Sequence, residues 1–490
     1  MKTRHIIAIA AALLCIATAQ AQYNETNNLF YHSFRTPQSN QLNPAFFPTN
    51  NTYYLQMPSF GMHFGSPLSI NDIARLDTNQ YNGNVTTVID INKMLAAITM
   101  NNDFRFGTEF NIFGFGFKLD KTFITADARI MNNINVGLPI STINALLRGN
   151  VDAYGNPITE VTLVDGDIIN FTNYLEMGVG VGHYFEPLGL TVGGRAKLLY
   201  GIANLQTDNT RAVLITDDDF ESVGVDIYYE IQGASAVAVD SNGVRLTSVG
   251  EMLNIFKANT GLSFDIGAKY DKGPFSFSAS INDLSAGIHW RRNVNTITPD
   301  GGHTVVSFDG QEVTGLLNGG NLNADSLTAY YQQVLNGLAP TNSTDGDYWY
   351  GIPTKINLGA SYSFAKMFRA GLLLHGQFDR GLLSRKNHYE LDLSDNVTNT
   401  FRFNTTLSLG VDIFNWVEVL VGSSVVYDGS RTDFFNPGIG LVLTPFKIFQ
   451  MHIMADYVSS IYLADAKAFN VKLGFSMLFG DGGKNKITQD

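Results

Sequence analysis

Charged side chains recur on alternate positions of stretches that otherwise read as apolar strands. They are Asp127 and Arg129, Glu176, Arg195 and Lys197, Asp265 and Lys269, Lys355, His375 and Asp379, Arg402, Asp412, Glu418, His452 and Asp456, and Lys472. A ring that selects ions would favour one sign. Both signs occur here, so the chemistry implied is ion pairing that braces a wall and grips whatever lies inside it. Other candidate motifs fail on spacing. Gly178-x-Gly180-x-Gly182 has the wrong interval for a dinucleotide loop and no helix follows; three glycines on one strand face instead predict the close approach of another backbone. Asp217-Asp218-Asp219 lacks the Gly and distal Glu of a calcium loop. Neither H-E-x-x-H nor G-x-S-x-G occurs. No catalytic residue, metal site or cofactor is assigned.

The elements that position these charges are clearest near the C-terminus. Phe469, Val471, Leu473, Phe475, Met477 and Phe479 alternate with Asn470, Lys472, Gly474 and Ser476. One apolar and one polar face in period two mark a strand whose sides meet different solvents. The same pattern runs through Phe403–Ile413, Val417–Tyr427, Ile439–Leu443 and Phe449–Tyr457. Consecutive strands of this kind, with charges on one face only, predict an all-β fold: a transmembrane antiparallel β-barrel.

Further strand-like segments are 52–65, 104–118, 121–133, 170–185, 189–204, 259–271, 274–289, 351–364 and 367–380, for about 14 strands in all. Strand 104–118 has a phase break, because Phe113, Phe115 and Phe117 do not continue Phe106 and Phe110. Residues 211–232 fit an extension of a hairpin beyond the wall. No strand reads as kinked. Connections after even strands are tiny, such as Asp120-Lys121 and Asn415-Trp416, whereas 66–103, 134–169, 205–258, 290–350 and 381–400 are long. Short periplasmic turns and long extracellular loops characterise outer-membrane barrels, which puts both termini in the periplasm.

Lys2 and Arg4 precede an apolar run, Ile6 to Ala17, that ends at Ala19-Gln20-Ala21, so 1–21 reads as a signal peptide. Cys15 lies within it, leaving the mature chain no disulfide or Cys-ligated zinc. A net charge of −12 argues against a nucleic-acid partner. Residues 22–51 have no helical or strand period but contain Phe30, Tyr31, Phe34, Phe46 and Phe47. They predict a plug inside the lumen, with a periplasmic tail as the alternative. The barrel follows over 52–479, and 480–490 form a polar periplasmic tail. Within the long loops, short helices are predicted at Ile91–Ile98, Ile140–Leu147 and Leu327–Leu335. Leu327, Tyr330, Tyr331 and Leu335 make an apolar face for packing between loops or for a greasy entry site.

Gln41-Leu42-Asn43-Pro44-Ala45, followed by Tyr53-Tyr54-Leu55-Gln56-Met57-Pro58, resembles FadL-type outer-membrane barrels, where Asn-Pro-Ala ends an N-terminal hatch. Phe275–Trp290 and Ile352–Phe364 resemble the Bacteroidota branch that includes PorV-like and PorP/SprF-like proteins, and above all a Bacteroidota family known only as a domain of unknown function. The resemblance implies an outer-membrane location with lipid as the surrounding partner. Its first functional implication is passive passage of small hydrophobic compounds. Its second is a docking barrel with periplasmic or outer-membrane protein partners, such as type IX secretion components. The residues expected to contact plug or ligand are Phe34, Asn43, Pro44, Phe46 and Phe47, together with the loop residues Leu327, Tyr330, Tyr331 and Leu335.

Overall fold

A computed structural model describes residues 28–47, 51–78, 85–89, 93, 103–137, 158–165, 168–216, 222–240, 243–246, 259–299, 304–309, 342–365, 367–378, 401–414, 416–428, 431–446, 448–458 and 466–481. The signal peptide, the end of the tail, Asp217–Asp219 and the three loop helices lie outside these residues, apart from Lys93.

Fourteen antiparallel wall strands close on themselves. The first, β1, is in two pieces, Asn51–Gln56 and Ser59–Gly65, broken where Pro58 cannot donate to the ladder. Next come β2 (Asp103–Leu119), β3 (Thr122–Gly137), β4 (Ile169–Phe185), β5 (Leu190–Thr216), β6 (Thr260–Lys272) and β7 (Phe275–Trp290). The ring continues with β8 (Thr354–Phe364), β9 (Phe368–Phe378), β10 (Phe401–Phe414), β11 (Val417–Asp428), β12 (Arg431–Leu443), β13 (Phe449–Asp456) and β14 (Ala468–Asp481). Both pieces of β1 pair with β14 on one side and β2 on the other, which closes the barrel and leaves no open edge in the wall.

Burial is inverted relative to a water-soluble protein. Along β14, Asn470, Lys472 and Ser476 are buried while Leu473 is exposed. Around the ring, Phe60, Phe115, Val179, Ile266, Phe277, Leu358, Leu407 and Ile453 also point outward and are exposed. An apolar exterior around a polar, filled interior makes this a transmembrane barrel. At the turn end, Tyr362, Phe364 and Phe368 form a stacked series with Phe275 tilted against Tyr362, and Phe414 stacks on Trp416. Aromatic rings in this position suit a membrane interface.

The six tight turns fall where the sequence places them, and Asp120, Gly189, Gly273, Ala365 and Phe446 take left-handed backbone there. The phase break in β2 is a β-bulge: the register with β3 shifts between Asn111 and Phe113, so Ile112 and Phe113 both face outward. At the loop end, β5 runs on past the wall and pairs with Ser222–Ser235, which pairs in turn with Val294–Thr298 and Thr304–Asp309.

β7 departs most from regularity. Asp283 and Ser285 have left-handed backbone, and the register against β6 shifts twice between Leu262 and Ile266. Its ladder with β8 ends at Asn282–Lys355 and resumes at Gly287–Gly351, and between them Thr354 Oγ1 donates to the Asp283 carbonyl at 2.8 Å and the Ile352 N–H to the Ala286 carbonyl at 3.1 Å. This kink is hidden in the sequence because the bulged residues are small or polar and sit among alternating ones.

Candidate functional site

Residues 28–47 lie inside the ring of strands. Two single-turn 3₁₀ helices, Leu29–His32 and Pro37–Gln41, are linked by hydrogen bonds such as Thr36 N–H to the Ser33 carbonyl at 3.2 Å. A segment this short and irregular cannot satisfy its own polar groups, and the wall does much of that work. The Asn28 N–H donates to the Asp456 carboxylate. Gln38 Nε2 donates to Ser476 Oγ at 3.0 Å, and Gln41 Nε2 to Asn111 Oδ1 at 2.7 Å. Ser280 Oγ donates to the Leu42 carbonyl at 2.7 Å, and Gln450 Nε2 to the Arg35 carbonyl at 3.1 Å.

Asn43 explains the Asn-Pro-Ala motif. Its Oδ1 accepts the Ala45 N–H at 2.9 Å and its carbonyl accepts the Phe46 N–H at 2.9 Å, forming a tight turn around Pro44. Its Nδ2 donates to Tyr31 Oη at 3.1 Å and to the Ala279 and Ala268 carbonyls at 3.2 and 3.4 Å. One amide therefore ties the segment to β6 and β7 together. The close approach needs glycine in the wall: a Cβ on Gly267 would lie 2.1 Å from Asn43 Oδ1, and one on Gly193 would lie 2.2 Å from the Pro44 carbonyl oxygen.

The aromatic residues of the segment form three groups, one of which is Phe30 against Leu420, Val442 and Met454. Phe46 packs edge-on against Tyr31 and Phe34, each at 5.1 Å between centroids. Phe34 also lies between the Lys269 ammonium and the Arg369 guanidinium, at 5.1 and 5.0 Å. Phe47 joins Tyr54 and Phe123 at the turn end. Phe34 and Phe46 are thus in contact, Asn43 and Pro44 form the turn that leads to Phe46, and Phe47 packs apart from them, whereas Leu327, Tyr330, Tyr331 and Leu335 lie outside the described residues. His32 is fully buried, and burial, reinforced by the positive charge of Arg369, lowers its pKa to about 3.

Beside the segment lies a belt of buried charges. Arg195 reaches Asp127, Glu176 at 3.2 Å and Asp265 at 3.6 Å. Lys197 reaches Asp265 at 2.6 Å and also Asp283. Arg129 makes a two-pronged contact with Glu176, donating from Nε at 2.9 Å and Nη2 at 3.1 Å. Glu109 accepts from Lys472 at 3.0 Å and lies 3.5 Å from Arg129. Burying charges of this kind is tolerable only when each is paired and hydrogen-bonded. Sequence reasoning missed Glu109 and Asp283, which sit beside the β2 bulge and within the β7 kink. Gly178, Gly180 and Gly182 face the lumen, but what fills their space is side chains, those of Arg195, Thr125 and Phe123, rather than another backbone.

Towards the loop end the lumen changes character. Tyr174, Leu199, Ala286, Ile288, Trp290 and Ile352 form an apolar cluster on the inner face of β4, β5 and β7 and on the stretch before β8, with Met131, Tyr348 and Tyr350 against it. Between this cluster and the N-terminal segment is a cavity of about 70 Å³, bordered by Leu42 and Phe30 on one side and Met131 on the other.

A family profile matches residues 44–456, most of the wall just described. The chain belongs to DUF5723, a family of unknown function. Among curated proteins there is no significant match to this DUF5723 chain. Among solved structures it is similar to a FadL homologue from Pseudomonas aeruginosa, at 9% identity with TM-score 0.46, over 95% of this chain and 100% of that one. It is also similar to the Pseudomonas putida toluene transporter TodX, at 9% identity with TM-score 0.37, over 95% and 96% of the two chains.

Proposed function

We propose that this DUF5723 chain is a non-enzymatic outer-membrane barrel, closed by residues 28–47 acting as a plug, that passes small hydrophobic compounds passively. The observation that carries the reading is the apolar cluster around Ile288 and Trp290, set against the interrupted seam of β7. An apolar solute gains by leaving water for that surface. It gains nothing by going on through the charged belt, where it would have to separate paired, desolvated charges. The kink at Asp283–Ser285 gives it a way sideways into lipid at the level of the cluster. Leu327, Tyr330, Tyr331 and Leu335, which lie outside the described residues, are proposed as the entry face on the strength of their spacing in the sequence. The short turns and both termini are assigned to the periplasm.

A reversible staple tests the route. Ala286 and Ile352 face each other across the gap in the β7–β8 ladder, where the Ile352 N–H donates to the Ala286 carbonyl at 3.1 Å. In the mature chain, which has no cysteine of its own, Ala286→Cys with Ile352→Cys staples that gap on oxidation. Uptake of toluene by cells expressing the stapled barrel should fall to the level of cells lacking it and recover on reduction. Equal uptake in both redox states would remove the lateral route.

One observation favours a docking role instead. Phe446 at a turn tip is 88% exposed, with Phe414 and Trp416 nearby at 58% and 48%. Apolar side chains beyond the wall suit a periplasmic or outer-membrane protein partner, such as secretion machinery. Co-purification from native membranes, abolished by Phe446→Ser, would move this reading ahead.

A further inference from the structure

The cavity between the N-terminal segment and the apolar cluster contains unlike, unused groups. Lys355, on β8, lines it and makes no ion pair among the described residues. Asn133 Oδ1, on β3, also lines it and is buried without a hydrogen-bond partner. The neighbouring cations are committed elsewhere, Arg129 to Glu176 and Lys472 to Glu109. Asp283 is likewise committed, to Lys197. The site therefore offers one ammonium that makes no direct ion pair, although its charge is felt by Asp283, and one acceptor oxygen without a hydrogen-bond partner.

Charge balance narrows the ligand further. The belt described above has one more carboxylate than cation, and Lys355 makes up the difference. A bound anion would upset that neutrality in a poorly screened interior, and a bound cation would do so in the opposite sense. A zwitterion keeps it. Size sets an upper bound: a cavity of about 70 Å³ admits a ligand of a few non-hydrogen atoms and excludes large ones.

We propose that this cavity binds a small zwitterion of the amino-acid class, its carboxylate on Lys355 and its ammonium on Asn133 Oδ1. Gln41 and Leu42 form part of the cavity wall, so the ligand would rest directly on the N-terminal segment. The site does not depend on the hydrophobic route proposed above, because it lies within the lumen.

Saturation-transfer NMR on the full-length barrel in nanodiscs, with glycine, acetate and methylammonium as probes, tests the assignment. Glycine should bind, and each single-charge probe should bind roughly tenfold more weakly or worse, having lost one charge-assisted contact. Lys355→Met should remove the preference for glycine over methylammonium. Asn133→Leu should remove the preference over acetate. Retained heat-modifiability confirms that each variant is folded, and if either fails to fold, the probe series on the unmodified barrel still decides. Acetate binding as tightly as glycine would make this an anion site and overturn the proposal. Absence of glycine binding to the native barrel at 100 mM, on the order of the weakest affinity worth calling a site, would also overturn it.

Discussion

The wall from β10 to β13 and the wall from β3 to β7 both hold the N-terminal segment, by different physics. The first is an apolar socket: Phe30 is fully buried against Leu420, Val442 and Met454. A Cβ on Gly422 or Gly438 would lie 2.6 or 2.7 Å from the Leu29 side chain, so these two positions are cut away for it. The second is polar, with the charge belt behind it and backbone carbonyls of β6 and β7 offered to Asn43. It also contains the only left-handed non-glycine residues inside a described wall strand, Asp283 and Ser285. A socket fixes position by shape, and the register shifts in its wall, at Asp412–Phe414 and Ser424–Val426, involve no left-handed residue. A charged lattice can bridge an irregular strand, because Lys197 joins Asp265 to Asp283 across the kink. The contrast suggests a static side and a side that can change.

Breaking the lattice should have the largest effect. Arg195→Met leaves Asp127, Glu176 and Asp265 short of a partner, at a cost of about 3–5 kcal/mol. Urea titration of the heat-modifiable barrel should show this as a large loss of stability. A loss under about 1 kcal/mol, typical of exposed pairs, would mean the belt is not the brace described.

Emptying the socket should act on the segment more than on the wall. Phe30→Ala removes about 3 kcal/mol of packing. Residues 28–42 should become open to protease while the barrel keeps its urea midpoint. Loss of the barrel itself would show that the socket holds the wall together as well.

Acid should loosen the segment through His32. Its pKa is about 3 when seated and about 6.5 when free, so the displaced segment takes up a proton that the seated one does not. Seating is at full strength above pH 6.5 and weakens as the pH falls towards 3, by about 2 kcal/mol at pH 5. His32→Asn should flatten protease sensitivity between pH 7 and pH 5. An unchanged profile would assign the acid response to another group.

Much of the wall was legible because its signals are local. Period-two alternation from Phe469 to Phe479 needs no knowledge of neighbours, and neither do turns such as Asp120-Lys121. What escaped depends on pairing. A bulge adds a residue and reverses every later side chain, so Glu109 and Asp283 could not be given a face from spacing alone. The segment has no period of its own; only the Asn43-Pro44-Ala45 motif and its aromatic residues pointed inward. The partners of Asn43 on β6 and β7 lie more than two hundred residues away in sequence.

The central claim, that residues 28–47 close this barrel, is tested most directly by conductance in planar bilayers. A chain lacking 22–40 but keeping Asn43-Pro44-Ala45 should fold and conduct ions, because the socket for Phe30 and the space around Tyr31 and Phe34 are then open. The intact protein should be nearly silent. Equal conductance from the two would contradict the account.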